Sequence, residues 1–522
     1  MDSMRGMNRR EVLVAGTVAA ISTALPWEGR AAAGGAGEPA RGWQYASATE
    51  LAAAIRARRT TSAAATRLVL DRIERFNPKL NAIVTLAAES ALRRAKEADA
   101  ALARGEIWGA LHGVPCTVKD TFETAGVRTT AGATELRGHV PDRDAVAVAR
   151  LRAAGMVMVG KTNVPPWAGD FQSFNDVFGT TNNPWDLTRT PGGSTGGGAA
   201  ALAAGLGYLT IGSDEGGSIR VPAHFCGVFG HKPTLNVVPF RGHIPPMPGA
   251  VVSPPALAVA GPLARSAADL LLALRVVGGP PPEDAIAYRW EVPPARKKSM
   301  REYRIGFVLD HPLCPVTGDV KDRLRLAVEA LRKVGARLDE GFPAGVDLAE
   351  QYRTFLEVMW VADLSGSSKE ELDRIRALNV APDDVFTRTM KHAVDASAFE
   401  LASARNQQLA MRQAWQRYFE NHDAFLMPTD FVSAFAHDHL QPDSARVLLT
   451  PEGPRRYWDQ LIWASIASLT GLPATVAPVG VTRAGLPVGI QIVGPWLEDA
   501  TPIFVAEAFE REFGFQVPPG FE

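Results

Sequence analysis

Net charge is almost missing from this chain of 522 residues: 55 Lys and Arg stand against 56 Asp and Glu, a balance of −1. That balance gives neither the basic field that gathers nucleic acid nor an acidic tail. It points to a small-molecule partner and to no nucleic acid. Cysteine is scarce as well. Cys116, Cys226 and Cys314 have neither zinc-site spacing nor the look of a disulfide framework, so they read as buried thiols. Long apolar runs are also lacking. Residues 12–26 are too few to span a bilayer, and the uncharged stretches 190–213 and 242–264 carry many Gly and Pro residues, whose loops at bilayer depth would leave backbone groups unsatisfied. No internal repeat appears, and no low-complexity tract beyond an Ala-rich leader.

Three motifs fail on their surroundings. Gly155-Met156-Val157-Met158-Val159-Gly160-Lys161-Thr162 fits the phosphate-loop pattern, but its interior is strand-forming, with a helix before it and Asn163-Val164-Pro165-Pro166 after it. Gly192-Gly193-Ser194-Thr195-Gly196 fits the nucleophile elbow, yet residues 187–191 are turn-like where a strand is needed. His437-Asp438-His439 is half of a metal site with no third ligand nearby, and reads as a solvated loop. Neither metal nor organic cofactor is expected.

What is abundant is glycine, 48 residues in all, concentrated with hydroxyl side chains over residues 190–234. Ser194 sits in the Gly192–Gly196 turn and Ser218 in Asp214-Glu215-Gly216-Gly217-Ser218-Ile219-Arg220. Between them a small-residue helix and a short strand are expected. Glycine lets main chain approach a ligand closely, and converging backbone N–H groups build an oxyanion hole. A serine beside such a hole is a nucleophile, provided a base takes its proton. No histidine is evidently placed for that. His224 and His231 lie near Ser218 in sequence, either packing a tight turn or lining the site. Lys119 ends the Val-rich run 111–119, where burial lowers a lysine pKa towards neutrality, and a Ser–Lys pair is a variant of the triad.

On these residues the chain resembles the amidase signature family of serine hydrolases. The likeness adds Gly160-Lys161-Thr162-Asn163, Asn183-Pro184-Trp185-Asp186, Gly261-Pro262-Leu263-Ala264-Arg265, Pro428-Thr429, Gly471-Leu472-Pro473 and Gly485-Leu486-Pro487-Val488-Gly489, and covers roughly residues 45–510. It implies an amide hydrolase with Ser218 as nucleophile, Ser194 as a proton relay held by a cis peptide, and Lys119 as base. The amides of Glu215, Gly216, Gly217 and Ser218 would then hold the oxyanion, with Thr195 beside them. Two residues depart from the family pattern. Thr195 replaces a common second serine, and Glu215 puts a carboxylate where many members have a small or neutral residue. Asp214 and Arg220, flanking the nucleophile turn, are expected to pair.

The resemblance also implies an α/β fold, a mixed sheet between helical layers, which the alternation of helical and strand patterns supports independently. Residues 45–510 form one catalytic domain with a mostly helical, variable section at 283–425, followed by a tail at 511–522. Arg9-Arg10 before the apolar run, with Ala31 to Ala33 after it, resembles a twin-arginine export signal over residues 1–33, leading through a leader at 34–44. The expected location is periplasmic or extracellular, with a cytoplasmic enzyme as the alternative. The expected substrate is a small neutral amide, an aryl acylamide best, with esters or carbamates also in range. The expected assembly is a monomer or homodimer, off the membrane once the signal is gone. Two rival readings stand: the amidase subunit of a tRNA-dependent amidotransferase, and a binding protein of the same fold that has lost catalysis.

Overall fold

The structure, a computed structural model, describes residues 41–250 and 253–522. The export segment 1–33 and the leader up to residue 40 lie outside the described residues.

Cap chemistry sets the first helices. Ser47 and Glu50 exchange hydrogen bonds at the start of Ala48–Arg56, and the Thr61 side chain accepts from Ala64 N at the start of Ser62–Leu80. Asn81, left-handed, closes the second helix. The chain then enters an eleven-stranded sheet.

Across that sheet the strands run Ile83–Leu86, Val157–Thr162, Pro115–Lys119, Leu209–Asp214, Val259–Ala264, Phe229–Lys232, Ala474–Val481, Pro487–Val493, Ala424–Pro428, Arg304–Phe307 and Arg337–Glu340. Pairing is mixed, as expected. Pro115–Lys119 is parallel to both its neighbours, whereas Leu209–Asp214 and Val259–Ala264 are antiparallel. Central side chains such as Val118, Leu263, Val476, Ile490 and Ile492 are fully buried, each worth about 1.5–3 kcal/mol in apolar burial. The helices Ala267–Val277, Gly318–Lys333 and Ala500–Phe513 pack against strands of this sheet. The four helices Leu348–Asp363, Lys369–Arg376, Val385–Ala393 and Ala398–Phe419 follow one another between the strands Arg337–Glu340 and Ala424–Pro428. Among the described residues no helix is long and apolar enough to cross a membrane.

Three local readings change. Val259–Ala264, which its Gly and Pro mark as turn and core, is a central strand. It tolerates Gly261 because the His231 carbonyl passes where a Cβ would stand, 2.3 Å away. The run expected as a strand from Leu111 begins only at Pro115, since His112 and Val114 donate into a turn through Gly109 O and Leu111 O. The helix Arg220–Cys226 and the strands Phe229–Lys232 and Arg337–Glu340 carry no periodic signal long enough to read. At the far end, Phe515 and Phe521 are buried, their rings against Tyr45 and Phe76 respectively.

Candidate active site

Lys119 closes one strand, and Ser213 and Asp214 close the parallel strand beside it, with Val118 opposite Ile211. Parallel neighbours deliver their last side chains to one edge, where open α/β sheets bind ligands. There Lys119 Nζ lies 2.7 Å from Ser194 Oγ and 2.8 Å from Ser213 Oγ. Lys119 is fully buried. Burial moves its ammonium down to about 7, with the Asp214 carboxylate pulling the other way.

Ser194 precedes the helix Gly196–Ala203, and the Gly193–Ser194 peptide is cis. Only glycine fits at 193, because a Cβ there would stand 2.2 Å from Asp170 O and 2.7 Å from the Phe171 carbonyl carbon. No strand leads into Ser194, so the elbow reading has no structural support. Thr195 is buried; its N–H donates to Ser218 O at 3.1 Å and its hydroxyl faces Ser213 O at 3.4 Å. The loop carrying Ser194 and the turn carrying Ser218 are therefore stitched together one residue from Ser194 and at Ser218 itself.

Asp214 shapes the turn that carries Ser218. Its carboxylate accepts from Gly217 N and Ile219 N, both at 3.0 Å, from Arg220 N at 3.2 Å, and from Arg220 Nη2 at 2.7 Å. Burial opposes its charge, but Arg220 and these donors hold the carboxyl at about 2. Arg220, buried too, also reaches Ala464 O, Gln491 Oε1 and Ser468 Oγ. The expected Asp214–Arg220 pair is thus the frame on which the turn hangs. Gly217 holds a φ of 115°, a region L side chains rarely adopt.

Among the expected oxyanion amides, Gly217 N–H is given to Asp214, while the N–H groups of Glu215, Gly216 and Ser218 meet no protein acceptor among the described residues and stay candidates. Ser218, Glu215 and Gly216 are part-exposed while Lys119 and Ser194 are buried. The turn faces outward, and Lys119 and Ser194 lie behind it.

Apolar side chains flank the turn. A Cβ on Gly216 would meet Leu461 Cδ2 at 2.5 Å and Phe355 Cζ at 3.9 Å, and one on Gly217 would lie 3.7 Å from Phe171 Cε1. Phe355, Met359 and Asp363 recur every fourth residue on the helix Leu348–Asp363, so they share one face. Glu215, held by surrounding protein first and by Asp363 and Asp214 next, has a carboxyl pKa raised well above the ordinary range.

The other candidates sit elsewhere. His224 takes Gly489 N at 2.7 Å and faces Val432 O at 3.0 Å. His231 bridges Thr475 and Asp499. Both tie the fold together, and neither touches Lys119 or the serines. His437 meets Asn182 Oδ1 at 3.0 Å, and His439 stacks on Phe174. Two residues at the site went unread in the sequence: Ser213, whose only signal is its place at the strand end beside Asp214, and His243, whose Nε2 lies 2.8 Å from Ser213 Oγ and which no motif marks.

The amidase family model matches residues 64–502. A glutamyl-tRNA(Gln) amidotransferase subunit from Roseiflexus sp. (strain RS-1) is 34% identical, over 86% of this chain and 93% of its own length. The protein of the same name from Carboxydothermus hydrogenoformans is 31% identical, over 90% of this chain and 98% of its own length. A solved bacterial aryl acylamidase of the amidase signature family superposes with a TM-score of 0.76 at 22% identity, over 91% of this chain and 99% of its own; at that identity the likeness is one of fold. These relatives overturn the expected partners. Proteins alike over nearly the whole chain are named as one subunit of an enzyme acting on a tRNA, against the reading of a monomer or homodimer that meets only a small amide and no nucleic acid. With the family model spanning most of its length and the same fold in its structural neighbours, the chain belongs to the amidase family, enzymes that cleave amide C–N bonds.

Proposed function

We propose that Ser218 attacks the carbonyl of an amide, that Ser194 relays its proton to Lys119, and that the same relay returns it to the departing nitrogen. The observation that carries this reading is the 2.7 Å contact between Lys119 Nζ and Ser194 Oγ, beside a glycine turn with open amides. A buried lysine with a pKa near 7 accepts a proton at working pH. Amides of Glu215, Gly216 and Ser218 stabilise the tetrahedral oxyanion. An acyl-enzyme forms and water releases it.

For its setting we favour the amidase subunit of a tRNA-dependent amidotransferase, which supplies nitrogen from an amide to a tRNA-linked acceptor. Support comes from relatives of that name matching 86–90% of this chain. This reading goes with a cytoplasmic enzyme. A second reading, hydrolysis of a neutral apolar amide such as an aryl acylamide, rests on Leu461, Phe355 and Phe171 packed around Gly216 and Gly217. It goes with export through Arg9-Arg10.

The test assays the purified chain for ammonia release from glutamine and asparagine and for aniline release from acetanilides, with cell fractionation and amino-terminal sequencing in parallel. Glutaminase activity that rises with added tRNA and partner proteins, from a cytosolic chain retaining Met1, supports the first setting. Rapid acetanilide turnover by an exported chain trimmed near Ala33 overturns it in favour of the second.

A further inference from the structure

Lys119 has more hydrogen-bond partners than accepting a proton from Ser194 requires. Besides Ser194 Oγ, its Nζ reaches Ser213 Oγ at 2.8 Å and Ser213 O at 3.4 Å. On the far side of Ser213, His243 Nε2 lies 2.8 Å from the same hydroxyl, and His243 Nδ1 lies 3.1 Å from Pro245 O. The imidazole is buried, with Phe122 edge-on at 5.0 Å and Phe240 stacked at 4.2 Å.

Counting donors and acceptors places every proton. A carbonyl only accepts, so His243 Nδ1 carries hydrogen and donates to Pro245 O. Burial first, and the nearby Lys119 after it, push the imidazole pKa down to about 3, so the ring is neutral. Its Nε2 is then bare and accepts from Ser213 Oγ–H. With that hydrogen committed, Ser213 offers Lys119 only lone pairs. A neutral lysine amine has two hydrogens and one lone pair. The hydrogens go to Ser213 Oγ and Ser213 O, and the lone pair is left for the Ser194 hydroxyl.

We infer, resting on the reading of Lys119 as the base, that His243 is a positioning residue: acting through Ser213, it turns the Lys119 lone pair onto Ser194. Without His243 the Ser213 hydroxyl is free to rotate and give its hydrogen to that lone pair. Two effects follow. Part of the Lys119 population is turned away from Ser194, and the neutral amine, now receiving a hydrogen bond, is favoured, which lowers the lysine pKa. The charged and titratable groups facing this chain of contacts are Asp214 towards Lys119, on the adjoining strand, and Lys161 with its Asp120 partner towards His243.

The test needs no known substrate. A fluorophosphonate reports the same proton transfer: the Ser218 Oγ–P bond forms, the P–F bond breaks, fluoride leaves, and the serine proton passes through Ser194 to Lys119. Its labelling rate is measured against pH for the full chain, His243→Leu, His243→Gln, Ser213→Ala and the His243→Leu/Ser213→Ala double variant. The histidine tautomer is read by ¹⁵N NMR of the labelled wild-type protein, with His243→Gln assigning the signal. Expected are a bare Nε2 and a protonated Nδ1, and a plateau labelling rate about 10- to 100-fold lower in His243→Leu. Its acid limb should shift to lower pH. His243→Gln, which returns an acceptor oxygen, should recover most of the rate, and the double variant should lose no more than either single one. A protonated Nε2 in the wild type overturns the inference even where His243→Leu and Ser213→Ala do not fold, as does a folded His243→Leu within twofold of wild type. An unchanged rate in Lys119→Met defeats instead the reading of Lys119 as base, while leaving the tautomer measurement intact.

Discussion

Thr195 gives its backbone N–H to the carbonyl of Ser218 at 3.1 Å, which locks the loop carrying Ser194 to the turn carrying Ser218. Of the two serines only Ser218 is flanked by open turn amides and reachable from outside. A fluorophosphonate should therefore label Ser218, and Ser218→Ala should end both labelling and turnover. Ser194→Ala should slow both by about a hundredfold or more with the fold intact. Peptide mapping that finds the adduct on Ser194 reverses the assignment.

The pH profile should follow Lys119. Its ammonium is depressed to about 7 by burial, and only the neutral amine accepts a proton. Activity is thus low below that pH, rises through it and levels off above. Lys119→Ala should cut kcat about a thousandfold and erase the limb near pH 7. A limb that persists in a folded Lys119→Ala variant assigns the titration to another group.

Arg220 should matter to folding more than to chemistry. Arg220→Leu leaves the Asp214 carboxylate buried without its guanidinium, and breaking a buried pair in this way costs about 3–5 kcal/mol. Urea unfolding measures it. Lowering the pH towards the Asp214 pKa of about 2 should remove the difference, because the pair stabilises the fold only while the carboxylate is ionised.

Glu215 should filter substrates by charge. Its carboxyl pKa is raised, so the side chain gains its charge only as pH climbs, and that charge opposes an anion at the turn. Glu215→Gln should improve kcat/KM for a succinyl anilide relative to acetanilide by about fivefold, the worth of roughly 1 kcal/mol between partly exposed like charges. The gain should widen with pH. A ratio that is flat with pH and unmoved by the substitution places the carboxyl away from the bound acyl group.

Much of the site was legible because its parts are local. Gly192 to Gly196 and Asp214 to Arg220 write their turns in glycine and hydroxyl residues, and Lys119 stands at the end of a Val-containing strand. The helix Ala267–Val277 is local as well: the Ser266 side chain caps its start and Gly278 follows its end. The strand Val259–Ala264 was not legible, because a Gly-Pro pair argues locally against a central strand and only its neighbours on both sides overrule that. Charge balance misled about partners, since a near-zero sum over the whole chain says nothing of a surface that meets one partner protein or one tRNA.

What the sequence alone determined is the family and the α/β class, and it marked Lys119, Ser194 and Ser218 as the candidate catalytic residues, all carried by short motifs with fixed chemistry. Tertiary structure decided the rest. It spent the Gly217 amide on Asp214, set Leu461 and Phe355 against the nucleophile turn, and brought His243 through Ser213 to Lys119. The reason is distance along the chain: Ser213 and His243 are separated by 30 residues with no shared period, and only the crossing of strand edge and loop puts their polar atoms 2.8 Å apart.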